Sequence, residues 1–346
     1  MKTYKVLPLV LVMLFLHSCL PSTQLSERAI VEAVGIDKKD DEFSVSIQYY
    51  NPENTNSESS QDSYVSHSAK TISKAMEEIK AKLGKELYFA HNNIIIIGKA
   101  AAESDVNDIL SFFDFDSQTK SDICIFISEK AEDIISFQDD KNSITPLLIL
   151  KVTENSAKNG KGCNCKMYSV IEYSQSKNGS FVLPIGKITE EKLFEIDGAC
   201  LFKNGTLVDT LTEEETRGLQ WYNGKIKDYL FSINECDIIA EGCETTVKPL
   251  IFDDTPVFKI EVSAKLKRPA ERLENEDETL IKEAISSQIT REIKKVISVA
   301  FTNHGCDIFE FSKYLKINFP DFSERFEQWY TSPVASFEID VSCFFA

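Results

Sequence analysis

The chain has 346 residues and a formal net charge of −17. So acidic a molecule repels phosphate backbones, which excludes nucleic acid as an expected partner. With 42% hydrophobic and 27% charged residues, the chain has enough apolar material for two or three folded cores, which excludes a disordered protein.

The first 18 residues predict a signal peptide that is removed. Lys2 and Lys5 supply a positive start, and residues 6–16 form an apolar run broken only by Pro8. A helix that spans a bilayer needs roughly 20 apolar residues, so this run can engage the export machinery without acting as a lasting anchor.

Cys19 follows the apolar run directly and is the predicted lipidation site. Lipoprotein processing requires an aliphatic residue, two small residues and then a cysteine, and Leu16, His17, Ser18 and Cys19 follow that order, with His17 irregular. An ordinary secretory peptide with a chance cysteine is the alternative. We expect acyl chains on Cys19 to hold the protein on a lipid bilayer, since two or more chains bind stably.

The chain contains nine cysteines, so eight remain after Cys19. Their closest groupings, Cys163 with Cys165 and Cys236 with Cys243, lack the C-x2-C spacing and the nearby histidine of zinc sites. The spacing favours free or disulfide-bonded structural cysteines over metal ligands, and we expect no metal or other cofactor.

The pattern between residues 19 and 190 predicts a first domain of mixed strands and helices. Residues 29–36 fit a strand, and alternation over residues 43–50 indicates a second strand that pairs with it as a hairpin. Helical spacing over 72–83, ending near Gly84, and over 101–113 alternates with buried strands at 94–97 and 123–127. Residues 144–152 fit a helix or an extended segment, and 167–173 and 181–183 fit a closing pair of strands.

A smaller middle domain is predicted over residues 191–248. Its clearest feature is a hairpin at Asn204-Gly205, which tolerates the positive φ of a type I′ turn. A helix follows at once, because Thr212 and Glu215 have the spacing of a capping box.

The last predicted domain covers residues 249–346. Strand alternation over 258–266 and 337–343 encloses an isoleucine stripe at helical spacing over 281–300. Packing of that stripe on its own sheet is favoured over a coiled-coil partner. The predicted fold class is therefore α/β (α+β), with three mixed sheet-and-helix domains in tandem.

The sequence lacks the common motifs of nucleotide-binding proteins, zinc proteases and serine hydrolases. After signal removal His67, His91 and His304 remain, far apart in sequence, and His91 is better interpreted as structural than as catalytic. We therefore expect no enzyme.

Four segments together resemble a known family. Residues 29–37, 88–98, 201–208 with 214–219, and 307–312 are similar to characteristic stretches of the Ger(x)C family of spore germination lipoproteins, the C subunits of germinant receptors. The chain departs from the family at Leu20-Pro21, at Thr23-Gln24, at Ala90 and at Glu310 and Ser312. The positions that match its motifs, whose roles the resemblance does not specify, are Gly35, Asp37, His91, Asn92, Glu215, Arg217, Gly218, Asp307 and Phe311.

The resemblance implies a three-domain α/β protein on the outer face of the spore inner membrane. It also implies association with a membrane-embedded A subunit and a transporter-like B subunit, in a scaffolding or signal-coupling role. The alternative is an extracytoplasmic ligand-binding lipoprotein of another envelope system. A further alternative, an envelope hydrolase, would need a nucleophilic serine or cysteine close in space to a histidine and a carboxylate.

Overall fold

The computed structural model of the protein describes residues 27–50, 63–115, 118–137, 145–176, 179–233, 236–267, 275–325 and 334–345. The predicted signal peptide and Cys19 lie outside these residues. Within them the strands form two sheets. The mixed α+β class predicted from the sequence is confirmed.

The first sheet has the strand order β3-β2-β1-β5-β6-β7-β8-β9, with β4 pairing to β1. Its centre is parallel, because β1, β5, β6 and β7 pair in parallel, and both flanks are antiparallel. The strands are β1 (Arg28–Lys39), β2 (Glu42–Tyr50), β3 (Ser63–Ala69), β4 (Glu86–Tyr88), β5 (Ile94–Gly98), β6 (Cys124–Ser128), β7 (Ser180–Ile188), β8 (Phe194–Lys203) and β9 (Thr206–Leu211).

Six helices of this region pack on both faces of the sheet. One face carries α1, α2, α3 and α6, and the other carries α4 and α5, so the central isoleucines of β5 and β6 are buried on either side. The helices are α1 (Ile72–Leu83), α2 (Lys99–Ala102), α3 (Val106–Phe115), α4 (Ala131–Ile135), α5 (Pro146–Lys158) and α6 (Met167–Ser174).

Local sequence signals explain where the longer helices begin and end. The Thr71 hydroxyl accepts from the Lys74 amide at the start of α1, and Gly84 ends that helix with a φ of 63°. Thr145 caps α5 in the same way, with Pro146 at the first helical position.

Two predictions for this region need correction. Residues 167–173 form helix α6 rather than a strand, because the buried side chains Met167 and Val170 are three residues apart and face α3 and β7. The helix predicted over residues 101–113 is divided into α2 and α3.

The second sheet has the order β10-β11-β12-β13, with β13 parallel to β12. Its strands are β10 (Tyr229–Ile233), β11 (Cys236–Phe252), β12 (Thr255–Lys267) and β13 (Ser336–Phe345). The alternation predicted for β12 and β13 is confirmed: one β12 row, from Phe258 to Leu266, is buried.

The predicted long helix, α8 (Asn275–Val296), crosses that buried face and continues as a π-helical segment, Ile297–Asn303. Its isoleucine stripe lies in the core. Two short helices follow, α9 (Phe311–Asn318) and α10 (Pro320–Arg325). Within the described residues no helix has the length and apolarity needed to cross a membrane.

Helix α7 (Glu213–Tyr222) joins the two sheets. It contacts β8 and β9 of the first sheet and α8, β11 and β12 around the second. Leu201 and Leu211, from the first sheet, belong to the same apolar core as α8. The first sheet thus continues past Glu190 into β8 and β9, and the three domain boundaries stay predictions.

Candidate functional site: the junction between the two sheets

The motif residues of the first sheet lie at the end of β1. Both oxygens of Asp37 accept hydrogen bonds from the start of α4, from the amides of Ala131 at 2.8 Å and Glu132 at 2.9 Å. Burial raises the pKa of Asp37, and these two amides only partly offset that effect. Asp37 thus holds a short helix against the sheet.

Two glycines make room for this arrangement. A Cβ on Gly98, at the end of the neighbouring strand, would lie 2.0 Å from Asp37 Oδ1. A Cβ on Gly35 would lie 2.4 Å from Ser46 Oγ and 2.9 Å from a side-chain carbon of Ile135. The Gly35 and Asp37 motif is therefore explained by close packing of α4 on β1.

His91 and Asn92 lie in the turn before β5. His91 is exposed, with its ring centre 6.1 Å from that of Tyr88, and its structural role stays a prediction. Asn92 is fully buried, and its side-chain amide has no hydrogen-bond partner within the described residues.

Glu215 belongs to the capping box at the start of α7, as the sequence predicts. The Glu215 amide donates to the Thr212 hydroxyl, and Glu215 Oε2 accepts from the Thr212 amide at 2.8 Å. Lys295 of α8 lies 3.7 Å from the other carboxylate oxygen, so the cap also touches the long helix.

Arg217 forms the central contact of the junction. Its Nε and Nη2 donate to Glu292 of α8, at 3.1 and 2.9 Å, while Nη1 reaches Glu213 at 3.2 Å. The guanidinium also lies 4.8 Å from the ring centre of Tyr229 on β10. Burial opposes the charge of Arg217, but the hydrogen bonds and proximity of Glu292 outweigh it and raise the pKa of the guanidinium.

Glu292 is fully buried and accepts from three side chains. Besides Arg217, Trp221 Nε1 donates at 3.0 Å and Gln288 Nε2 at 2.9 Å. Sequence reasoning missed Glu292, although a signal was present: it lies seven residues after Ile285, on the apolar face of the stripe. A carboxylate at a core position of a helix indicates a buried partner.

Gly218 allows α7 and α8 to meet at their backbones. A Cβ at this position would lie 2.2 Å from the backbone oxygen of Glu292. The matched positions Glu215, Arg217 and Gly218 therefore all lie on α7 where it contacts α8.

Asp307 and Phe311 complete the junction from the other side. The Asp307 carboxylate accepts from the amides of Phe311 and Ser312, both at 2.8 Å, and so caps α9. Burial raises the pKa of Asp307. Phe311 packs among aromatic rings, with its ring centre 4.3 Å from that of Phe258 and 5.8 Å from that of Tyr222.

A cleft of about 720 Å³ opens beside this junction. Residues of α5, α6 and the loop between them form one wall. The end of α7, the turn after it and residues 307–310 form the other. Sequence reasoning did not detect this cleft, because its walls come from distant parts of the chain.

The arrangement offers no metal centre within the described residues, where no group of three or more histidine, cysteine or acidic side chains is close enough to hold an ion. The eight cysteines that follow Cys19 are free. Burial raises the pKa of Cys165 to about 12 and that of Cys243 to about 11, so these thiols are poor nucleophiles at neutral pH. His67, His91 and His304 lie on separate elements.

Two family models match the chain, one after the other. Residues 21–188 match the family model described as the spore germination protein N-terminal domain, and residues 197–344 match the model described as spore germination B3/GerAC like, C-terminal. The two models together cover most of the chain.

Two relatives from Bacillus subtilis (strain 168) match along nearly their whole length. The spore germination protein KC is 22% identical, with 96% of this chain and 92% of that protein covered, and the spore germination protein B3 is 23% identical, with 90% and 88% covered. The crystal structure of the GerBC protein superposes with a TM-score of 0.61 and 18% identity, covering 90% of this chain and 96% of that one, which shows a shared fold.

Proposed function

Because the chain belongs to the Ger(x)C family of spore germination proteins, we propose that it is the lipid-anchored C subunit of a germinant receptor. In this role the protein is required for nutrient-triggered germination. It is a scaffolding or signal-coupling component and not an enzyme. The match of both family models, one after the other along the chain, is the observation that carries the proposal.

The expected location is the outer face of the spore inner membrane. The apolar run of residues 6–16 and Cys19 directly after Ser18 support export and lipid attachment. An acidic body of net charge −17 has no general attraction for anionic lipid heads, so we attribute membrane attachment to the acyl chains.

The expected partners are the membrane-embedded A and B subunits of the same receptor. The structure is compatible with a scaffold because α7 connects both sheets through one continuous core and a buried ion pair. A body of this kind can transmit a displacement from one end to the other with little internal rearrangement.

A germination assay tests the proposal. In the parent spore-former, deletion of this chain and of any paralogues should abolish the loss of optical density that follows addition of nutrients. Reintroduction of the wild-type chain alone should restore it. Normal germination of the deletion spores would contradict the role in germination.

The lipid anchor is tested separately with Cys19→Ala, and Cys236→Ala serves as a control that removes a different accessible cysteine. The Cys19→Ala chain should leave the membrane fraction and lose incorporation of a labelled fatty acid, whereas the control should keep both. Retention of the label after Cys19→Ala would contradict lipid attachment at this residue.

A further inference from the structure

The cleft beside the junction has the size of a small-molecule site. Its volume of about 720 Å³ falls within the range of roughly 300–1,000 Å³ that ligand pockets occupy. The two walls meet where the Lys227 amide donates to the backbone oxygen of Lys158 at 2.9 Å. Each wall therefore contributes side chains to one continuous space.

Four lysines line this space, in a chain whose net charge is −17. They are Lys158, Lys166, Lys225 and Lys227. Within the described residues, Lys158, Lys225 and Lys227 have no carboxylate in ion-pair distance. The ammonium of Lys166 lies 3.0 Å from the thiol of Cys124, whose pKa burial raises, so that this neighbour does not neutralise it.

The acidic residues of the cleft do not balance these lysines. Both oxygens of Asp307 are directed to backbone amides of α9. Glu310 forms an ion pair with Lys313 at 3.0 Å. Glu154 is the remaining carboxylate of the lining, so the cleft carries a local positive excess.

Gln220 supplies an independent observation. It lines the cleft and is only 4% exposed, yet its side-chain amide makes no hydrogen bond within the described residues. Among the described residues, the polar side-chain atoms that are both sealed from solvent and without a partner belong to Asn92, Ser128 and Thr216. The Gln220 amide is not one of them, so it keeps contact with the cleft. The unused amide is one that a bound molecule can satisfy.

We propose that this cleft binds a small molecule that carries two or more negative charges, as carboxylate or phosphate groups. The ammonium groups from the two walls hold the charged groups of the ligand, and the Gln220 amide donates a hydrogen bond to it. Lys158 and Lys166 belong to the wall formed by α5, α6 and their loop, and Lys225 and Lys227 belong to the wall that includes the turn after α7. A ligand held by lysines of both groups therefore links the two walls. The inference depends on the geometry of the cleft and holds independently of the role in germination.

Isothermal titration calorimetry on the purified full-length protein in detergent tests this inference, with pyrophosphate and citrate as the two probes. At least one should bind with one site per chain, and added salt should weaken the binding, because the contacts are ionic. A stronger signal for one probe identifies the phosphate or the carboxylate class as the preferred ligand. Absence of binding by both anions would overturn the proposal.

Charge-matched variants locate the site. Lys225→Ala combined with Lys227→Ala should weaken binding at least about tenfold, since each lost contact to a charged group is substantial. Lys39→Ala combined with Lys70→Ala removes two exposed lysines near the turn between β1 and β2, far from the cleft, and should leave the affinity unchanged. Equal weakening in both variants would indicate a general charge effect and would overturn the assignment to the cleft.

Discussion

The end of β1 holds a half-buried carboxylate and the α7–α8 junction a fully buried one, and the two are hydrogen-bonded in different ways. Asp37 receives two backbone amides, 94 and 95 residues further along the chain, and both come from the start of one short helix. Glu292 receives side chains of Arg217 and Trp221 from α7 and of Gln288 from its own helix. The first arrangement holds α4 against β1 within the first sheet. The second holds α7 against α8 and so connects the first sheet to the second.

The largest effect is expected at the junction. Arg217→Ala leaves the Glu292 carboxylate buried without its cation, which should lower the free energy of unfolding by about 3–5 kcal/mol. Urea denaturation followed by tryptophan fluorescence measures this change. Lys187→Ala, which removes exposed ion pairs with Glu195 and Asp197, is the control and should cost at most about 1 kcal/mol. Equal effects of the two substitutions would contradict the role of Arg217.

Gly218→Ala tests the backbone contact between α7 and α8. The added Cβ has no space beside the Glu292 backbone oxygen, so the helices must move apart at a cost of about 1–3 kcal/mol. Gly242→Ala is the matched control, because a Cβ there meets nothing within 4 Å and should change stability little. Thermal unfolding of both variants should separate them, and a stable Gly218→Ala protein would show that the helices are not in direct contact.

Asp307→Ala removes the side chain that caps α9. Loss of the two accepted hydrogen bonds should destabilise the protein by about 1–2 kcal/mol. Hydrogen exchange of the amides of Phe311 and Ser312 should accelerate in this variant. Unchanged protection of these two amides would contradict the cap.

The pH dependence at Asp37 should be the smallest effect. Burial raises the pKa of Asp37 above 3.8 in the folded protein, so folding favours the protonated form. The stability that this residue contributes is complete below the pKa of the unfolded chain and declines as pH rises through the folded pKa. The stability of the wild type relative to Asp37→Asn should therefore be greater in mildly acidic buffer than at neutral pH, and the opposite trend would contradict the direction of the shift.

The sequence predicts local features of the junction well, because their signals are local. Thr212 and Glu215 have a fixed capping spacing, and the isoleucine stripe marks the buried face of α8. The pairing of Arg217 with Glu292 joins residues 75 positions apart, so neither residue alone indicates its partner. Residues 167–173 form a helix where the sequence predicts a strand. Their apolar residues fit both the two-residue period of a strand and the 3.6-residue period of a helix, and packing against α3 selects the helix.

The cleft marks the limit of prediction from sequence. Lys158, Lys225 and Lys227 look like ordinary solvated lysines in the chain, and Gln220 like one more polar residue of a helix. They line one cleft only because α5 lies against the turn after α7, and the tertiary fold determines that contact.

A double-mutant cycle on Arg217→Ala and Glu292→Ala tests most directly whether one buried contact joins α7 to α8. The unfolding free energies of the wild type, both single variants and the double variant give the coupling between the two side chains. We predict a coupling of at least about 2 kcal/mol, because the double variant no longer contains a buried charge without its partner. A coupling below about 0.5 kcal/mol would contradict the junction as described.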